Sequence, residues 1–188
     1  MSDNPRPPVG TRHQRVGWET PEGLDEAMIR AVVDSFYADV RRDPLIGPIF
    51  NRIIAPEAWP HHLDLIADFW SSMLLGTGRY GGRPMPKHMA IPELADPHFM
   101  RWLALFRRTV ESLCPPDIAA LFVERSERIG NSFRMNIAMR RGQDITAMAP
   151  LERETHSGRP RADFALPAHR PSPSGLTRGL YTWRTTDK

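Results

Sequence analysis

Histidine is the side chain best suited to proton transfer or metal ligation near neutral pH, and this chain has seven, at positions 13, 61, 62, 88, 98, 156 and 169. None lies in an HExxH or ExxH pattern and no two are spaced i, i+4, so a dedicated zinc or di-iron carboxylate site lacks its ligands. The single cysteine, Cys114, has no CxxC or Cys/His ladder around it and reads as a small buried thiol. No GxGxxG, GxxxxGK[ST], GxSxG or HxE…CxxC occurs. Gly76, Gly78, Gly81 and Gly82 follow a helical segment and do not join a strand to a helix, which disfavours a phosphate cradle. His13, His156 and His169 lie in terminal segments that read as flexible, leaving His61, His62, His88 and His98.

His88 sits among Pro84, Pro86 and Pro92, which prevent a long regular helix around it. Two readings stand. One is a surface histidine on a short connector. The other is an imidazole held on a stiff segment, one ring nitrogen ligating a metal and the other oriented by a backbone carbonyl. A lone protein ligand suffices only when the cofactor supplies most of the coordination sphere, as haem does. Such a pocket needs apolar walls and a few polar groups, and Tyr37, Phe50, His62, Ile66 and Trp102 are available. Tyr37 and Trp102 also read simply as large core residues on apolar stripes. If buried, either needs a hydrogen-bond partner.

The elements that must position these groups read as helices. Thr20-Pro21-Glu22 has the makings of a helix start, and Leu24, Met28, Val32, Phe36 and Val40 then recur every four residues up to Asp43-Pro44. A second helix is expected from about Glu57 to Leu75, with Trp59, Leu63, Ile66, Trp70 and Met73 on one face and the glycines after it as the stop. Asp96-Pro97 is expected to cap a third, bearing Phe99, Trp102, Leu103, Phe106, Val110 and Leu113. Pro115-Pro116-Asp117 opens a fourth, with Ile118, Leu121, Phe122, Arg125, Ile129, Phe133 and Ile137. No strand pattern is evident. Four main helices packing in pairs make an all-α domain of residues 21–140.

Residues 1–20 and 141–188 read as flexible extensions, the second rich in proline and arginine, with Leu180, Tyr181 and Trp183 available for a local contact. The chain has 188 residues and a formal charge of +3. Residues 1–20 contribute +1, 21–139 contribute −2 and 140–188 contribute +4, so the basicity belongs to the tail and gives no nucleic-acid face to the core. No apolar run approaches the ~20 residues of a membrane span, and MSDNPRPPVGTRHQR has no apolar signal segment, so a soluble cytoplasmic protein without membrane contact is expected.

FYADVRRDPLIGPIFN, WPHHLDLIADFWSSMLLGTGRYGGRPMPKH, HFMRWLALF and RIGNSFRMNI, in this order over about residues 24–139, resemble the truncated haemoglobins, most closely group III. The combined pattern is specific, although FY, GPIF or a lone His is weak by itself. The glycine pairs of groups I and II are not evident in equivalent places, which fits group III better. The resemblance implies a truncated globin, a two-over-two helical sandwich around haem b. It implies His88 as the proximal iron ligand, Tyr37 as the distal tyrosine and Trp102 as the distal tryptophan. It further implies Phe50 on the haem face, His62 at the mouth of the distal site, Ile66 one turn beyond, and Phe69 and Trp70 as wall residues. Lys87, Arg79 and Arg83, close to His88 in sequence, are candidates to meet the haem propionates, with solvated surface charge as the equal alternative.

On that basis the expected function is reversible binding of oxygen and other small diatomic ligands (nitric oxide, carbon monoxide, cyanide), with slow release because Tyr37 and Trp102 both donate to the ligand. His62 is read as a gate or weak donor, with iron ligation as a third role. The alternatives are a haem enzyme, a nitric oxide dioxygenase or peroxidase served by an external reductase, and a helical interaction module that keeps the globin core without haem.

Overall fold

A left-handed glycine decides where the first helix starts. Gly23 has φ +87°, after a turn in which the Leu24 N–H donates to Pro21 O at 3.2 Å. The cap is therefore Asp25, whose carboxylate accepts the Met28 N–H at 2.8 Å, and not the expected Thr20. In the computed structural model, which describes residues 20–148 and 151, α1 runs Glu26–Arg42 and buries Ile29, Val32, Val33, Phe36, Tyr37 and Val40. The expected local contact of Leu180, Tyr181 and Trp183 lies outside the described residues.

Asp43 stops α1 and starts the next turn. Its Oδ1 accepts the N–H groups of Leu45 and Ile46, each at 3.0 Å, and its Oδ2 accepts Arg101 Nε at 2.6 Å. Helix α2 (Gly47–Ile53) follows, too short to show a period in sequence, where GPIF reads only as a turn. A 3-10 turn at Pro56–Ala58 leads into α3 (Trp59–Leu74), which ends where Gly76 takes φ +69°. The short α4 (Pro84–Met89) carries His88. Helix α5 (Asp96–Leu113) has Asp96 inside its first turn and not at the cap; the Ala95 N–H is taken instead by His98 Nδ1 at 3.2 Å, while Arg134 grips Asp96. Leu113, expected on the buried face, is 44% exposed. Helix α6 (Pro116–Arg140) opens at the prolines as expected.

Helix α1 packs on α3 and on α5, and α5 packs on α6, which gives two helix pairs joined through α1. The fold is all-α, and no strand occurs among the described residues. The main core holds eighteen buried residues among those described, with Phe36, Trp70, Phe106 and Phe122 at its centre. Trp102, Phe106 and Trp70 form one stack, with centroid separations of 5.4 and 5.0 Å at interplanar angles of 3° and 11°. A second cluster of four, Ile49, Leu94, Phe99 and Ile137, lies between α2, α5 and α6, and Leu151 packs against it.

Burial pushes the Asp43 carboxyl up, but the Ile46 N–H, the Arg101 guanidinium and the Leu45 N–H outweigh it and hold the group below the ordinary carboxylate range. A group so depressed stabilises the fold fully above its unfolded pKa and loses that contribution as pH falls through the folded one. Asp43→Ala is expected to cost about 2 to 3 kcal/mol in urea unfolding near neutral pH. The gap to the parent chain should narrow below about pH 4; a gap constant with pH would remove the charge from this account.

Candidate functional site

The elements enclose a cavity of about 250 Å³, bounded by α1, α2, α3, α4, the start of α5 and the middle of α6. Its walls are mostly apolar, with Ile46, Ile49, Phe50, Ile53, Ile54, Ile66, Phe69, Trp70, Phe99, Ile129 and Phe133 among them. Tyr37, His62 and Trp102 supply polar groups on one side and His88 on another, while Arg83 and Lys87 add cations.

His88 is oriented twice. Its Nδ1 lies 2.9 Å from Pro84 O, and its ring stacks on Phe133 at 4.4 Å and 14°. A carbonyl can only accept, so Nδ1 carries the proton and Nε2 of the neutral ring keeps its lone pair. Burial and, beyond it, the Lys87 charge lower the His88 pKa against a raising effect of the Pro84 bond, which favours that neutral form. The prolines allow one and a half turns of helix, enough to bring Pro84 O under the imidazole four residues later.

Tyr37 is held edge-on by Phe36 and Phe50, at 4.9 and 5.9 Å, and His62 faces it edge-on at 6.2 Å. Burial pushes the phenol pKa far above its ordinary value, and the Trp102 indole offsets this only in part. Tyr37 and Trp102 both line the cavity, one with an O–H and the other with an N–H able to donate. His62 lies between Tyr37 and Trp59, and burial, followed by the charges of His88, Lys87 and His61, lowers its pKa to about 4. It is therefore neutral at pH 7.

The structure thus gathers Tyr37, Phe50, His62, Ile66, Phe69, Trp70, Lys87, His88 and Trp102 around one space. Arg79 is not in its wall. Its guanidinium is engaged by Glu26 at 2.6 Å, Asp68 at 2.9 Å and Ser71 at 3.0 Å, which ties the α3–α4 connector to α1 and α3. Arg83 does line the cavity. Sequence reasoning missed Tyr80 and gave Phe133 only a place on a core stripe. Tyr80 depends on Gly82, where a Cβ would come within 2.6 Å of the phenol ring. That glycine is the one local signal for it.

The fit of this space to a prosthetic group can be judged from its own chemistry. Among the described residues no three His, Cys, Asp or Glu side chains gather as a cage for a bare ion. An imidazole whose Nδ1 proton is held by Pro84 O, in an apolar slot with cations beside it, matches a planar, anionic, metal-bearing ligand that brings its own equatorial donors.

Three comparisons bear on the same residues. A family model described as bacterial-like globin matches residues 22–125. A group 3 truncated hemoglobin of Campylobacter jejuni is 33% identical over 115 residues, covering 60% of this chain and 91% of that protein. The crystal structure of a group III truncated hemoglobin from the same organism superposes with a TM-score of 0.57 and 32% identity, over 62% of this chain and 93% of that one.

Proposed function

Since the chain belongs to the bacterial-like globin family, we propose that its cavity binds haem b through His88 and that the protein reversibly holds oxygen or another small diatomic ligand, with slow release. When bound, the haem supplies an iron centre able to take up such a ligand. The observation that carries the reading is an imidazole fixed by Pro84 O in the wall of the same apolar cavity as a buried phenol.

The chain's own residues then divide the work. His88 presents Nε2, and Phe133 fixes the plane of its ring. Phe50, Ile66, Phe69 and Trp70 exclude water, which strengthens every hydrogen bond inside. Tyr37 and Trp102 supply the O–H and N–H donors for a ligand that gathers negative charge. Neutral His62 stands as a gate or weak donor. Lys87 and Arg83, in the cavity wall, would meet the haem carboxylates, and residues 21–140 would form the globin domain.

Absorption spectra of the purified ferric, ferrous and carbon-monoxide-bound protein test the reading. A strong band near the blue end of the visible that shifts on reduction and again with carbon monoxide is expected. A protein that takes up no haem when it is supplied overturns the reading and leaves an apo interaction module. Sustained consumption of nitric oxide with a reductase would instead assign an enzyme.

A further inference from the structure

We propose that Arg141, beyond the matched family segment, is a positioning residue that sets the orientation of the His88 imidazole by clamping the connector after it. The inference rests on His88 as the haem ligand.

After α4 the chain crosses from Ala90 to Ala95 without regular structure, and its carbonyls need partners. The Ile91 N–H donates to His88 O at 3.1 Å, so the connector is bonded to the backbone of the ligating residue itself. Arg141 stands just past the end of α6 and reaches across to this segment. Its Nη1 donates to Leu94 O at 2.8 Å, and its Nη2 donates to Pro92 O at 2.7 Å with Ile91 O at 3.5 Å. A planar guanidinium with donors in a fixed fork can hold several carbonyls at once, which an ammonium cannot. Ile91 and Leu94 both line the cavity.

Helix α6 therefore holds the proximal side at two points two turns apart. Phe133 presses on the His88 ring, and Arg141 fixes the backbone that leaves it. The first contact sets the plane of the ring and the second limits how far α4 can rotate beneath it. Groups that orient a metal-bound histidine commonly change metal affinity about 10- to 100-fold when removed.

The test uses the full-length holoprotein. The iron–histidine stretching band of the ferrous form is recorded by resonance Raman, together with the rate of haem transfer to excess apomyoglobin. Arg141→Met is expected to shift or broaden the band and to speed haem transfer about tenfold. Asp43→Ala, a comparable stability loss at the far end of α1, is expected to leave the band where it is. Should Arg141→Met fail to fold, Arg141→Lys, which keeps the charge and loses the fork, is read in its place. An unmoved band in the Arg141 variant, or an equal shift in Asp43→Ala, overturns the positioning role. A parent protein that takes up haem but shows no iron–histidine band overturns the ligand assignment itself, a failure seen before any variant is made.

Discussion

His88→Gly protein is expected to lose haem about 100-fold faster than the parent chain and to regain it when free imidazole is supplied. The cavity keeps its apolar walls in this variant, since Phe50, Ile66, Phe69 and Trp70 do not depend on the imidazole. What disappears is the one ring nitrogen whose proton is pinned elsewhere, by Pro84 O at 2.9 Å. Free imidazole can occupy the vacated volume against Phe133, whose ring lies 4.4 Å from that of His88. Haem transfer rates with and without added imidazole make the measurement. Retention of haem at parental affinity without imidazole would move the ligand to His62 or His98, the other histidines of the cavity wall.

Tyr37→Phe is expected to speed release of bound oxygen at least about tenfold, as loss of one hydrogen bond to a charged acceptor of about 1.4 kcal/mol or more requires. Trp102→Phe should act in the same direction, because its N–H is a second donor in the same cavity wall. Two separate donors should combine multiplicatively in the double variant. Stopped-flow dissociation of oxygen from the four proteins completes the cycle. A combined effect well below the product would put the two groups in series, and an unchanged rate in Tyr37→Phe would remove the phenol from the role.

Much of this was legible in the residues before any coordinates. The stripes of α1, α3, α5 and α6 have enough turns to show their period, and their prolines mark the boundaries. Glycine conformation shifted the start of α1 from Thr20 to Asp25, and a local pattern cannot say that Gly23 is left-handed. Helix α2 was invisible because seven residues span two turns. In the site, the family pattern led to His88, Tyr37 and Trp102 as a set. The Phe133–His88 stack and the Arg141 clamp pair residues 45 or more positions apart in shapes set only by packing. Arg79 misled because nearness in sequence to His88 says nothing about Glu26, 53 residues away, which holds it. Arg141 and Leu151, past the end of the helical pattern, also make contacts that no local period announces.

Among the described residues the interior divides into two units, eighteen buried residues in one cluster and four in the other. Local opening costs scale with the buried contacts broken, so the smaller unit can come apart while the larger persists. That smaller unit contributes Ile49, Leu94 and Phe99 to the cavity wall. Whatever fills the cavity adds contacts to that smaller unit, so occupancy is expected to raise the cost of opening this wall more than that of the larger unit, which hydrogen exchange at Leu94 and Phe99 would register.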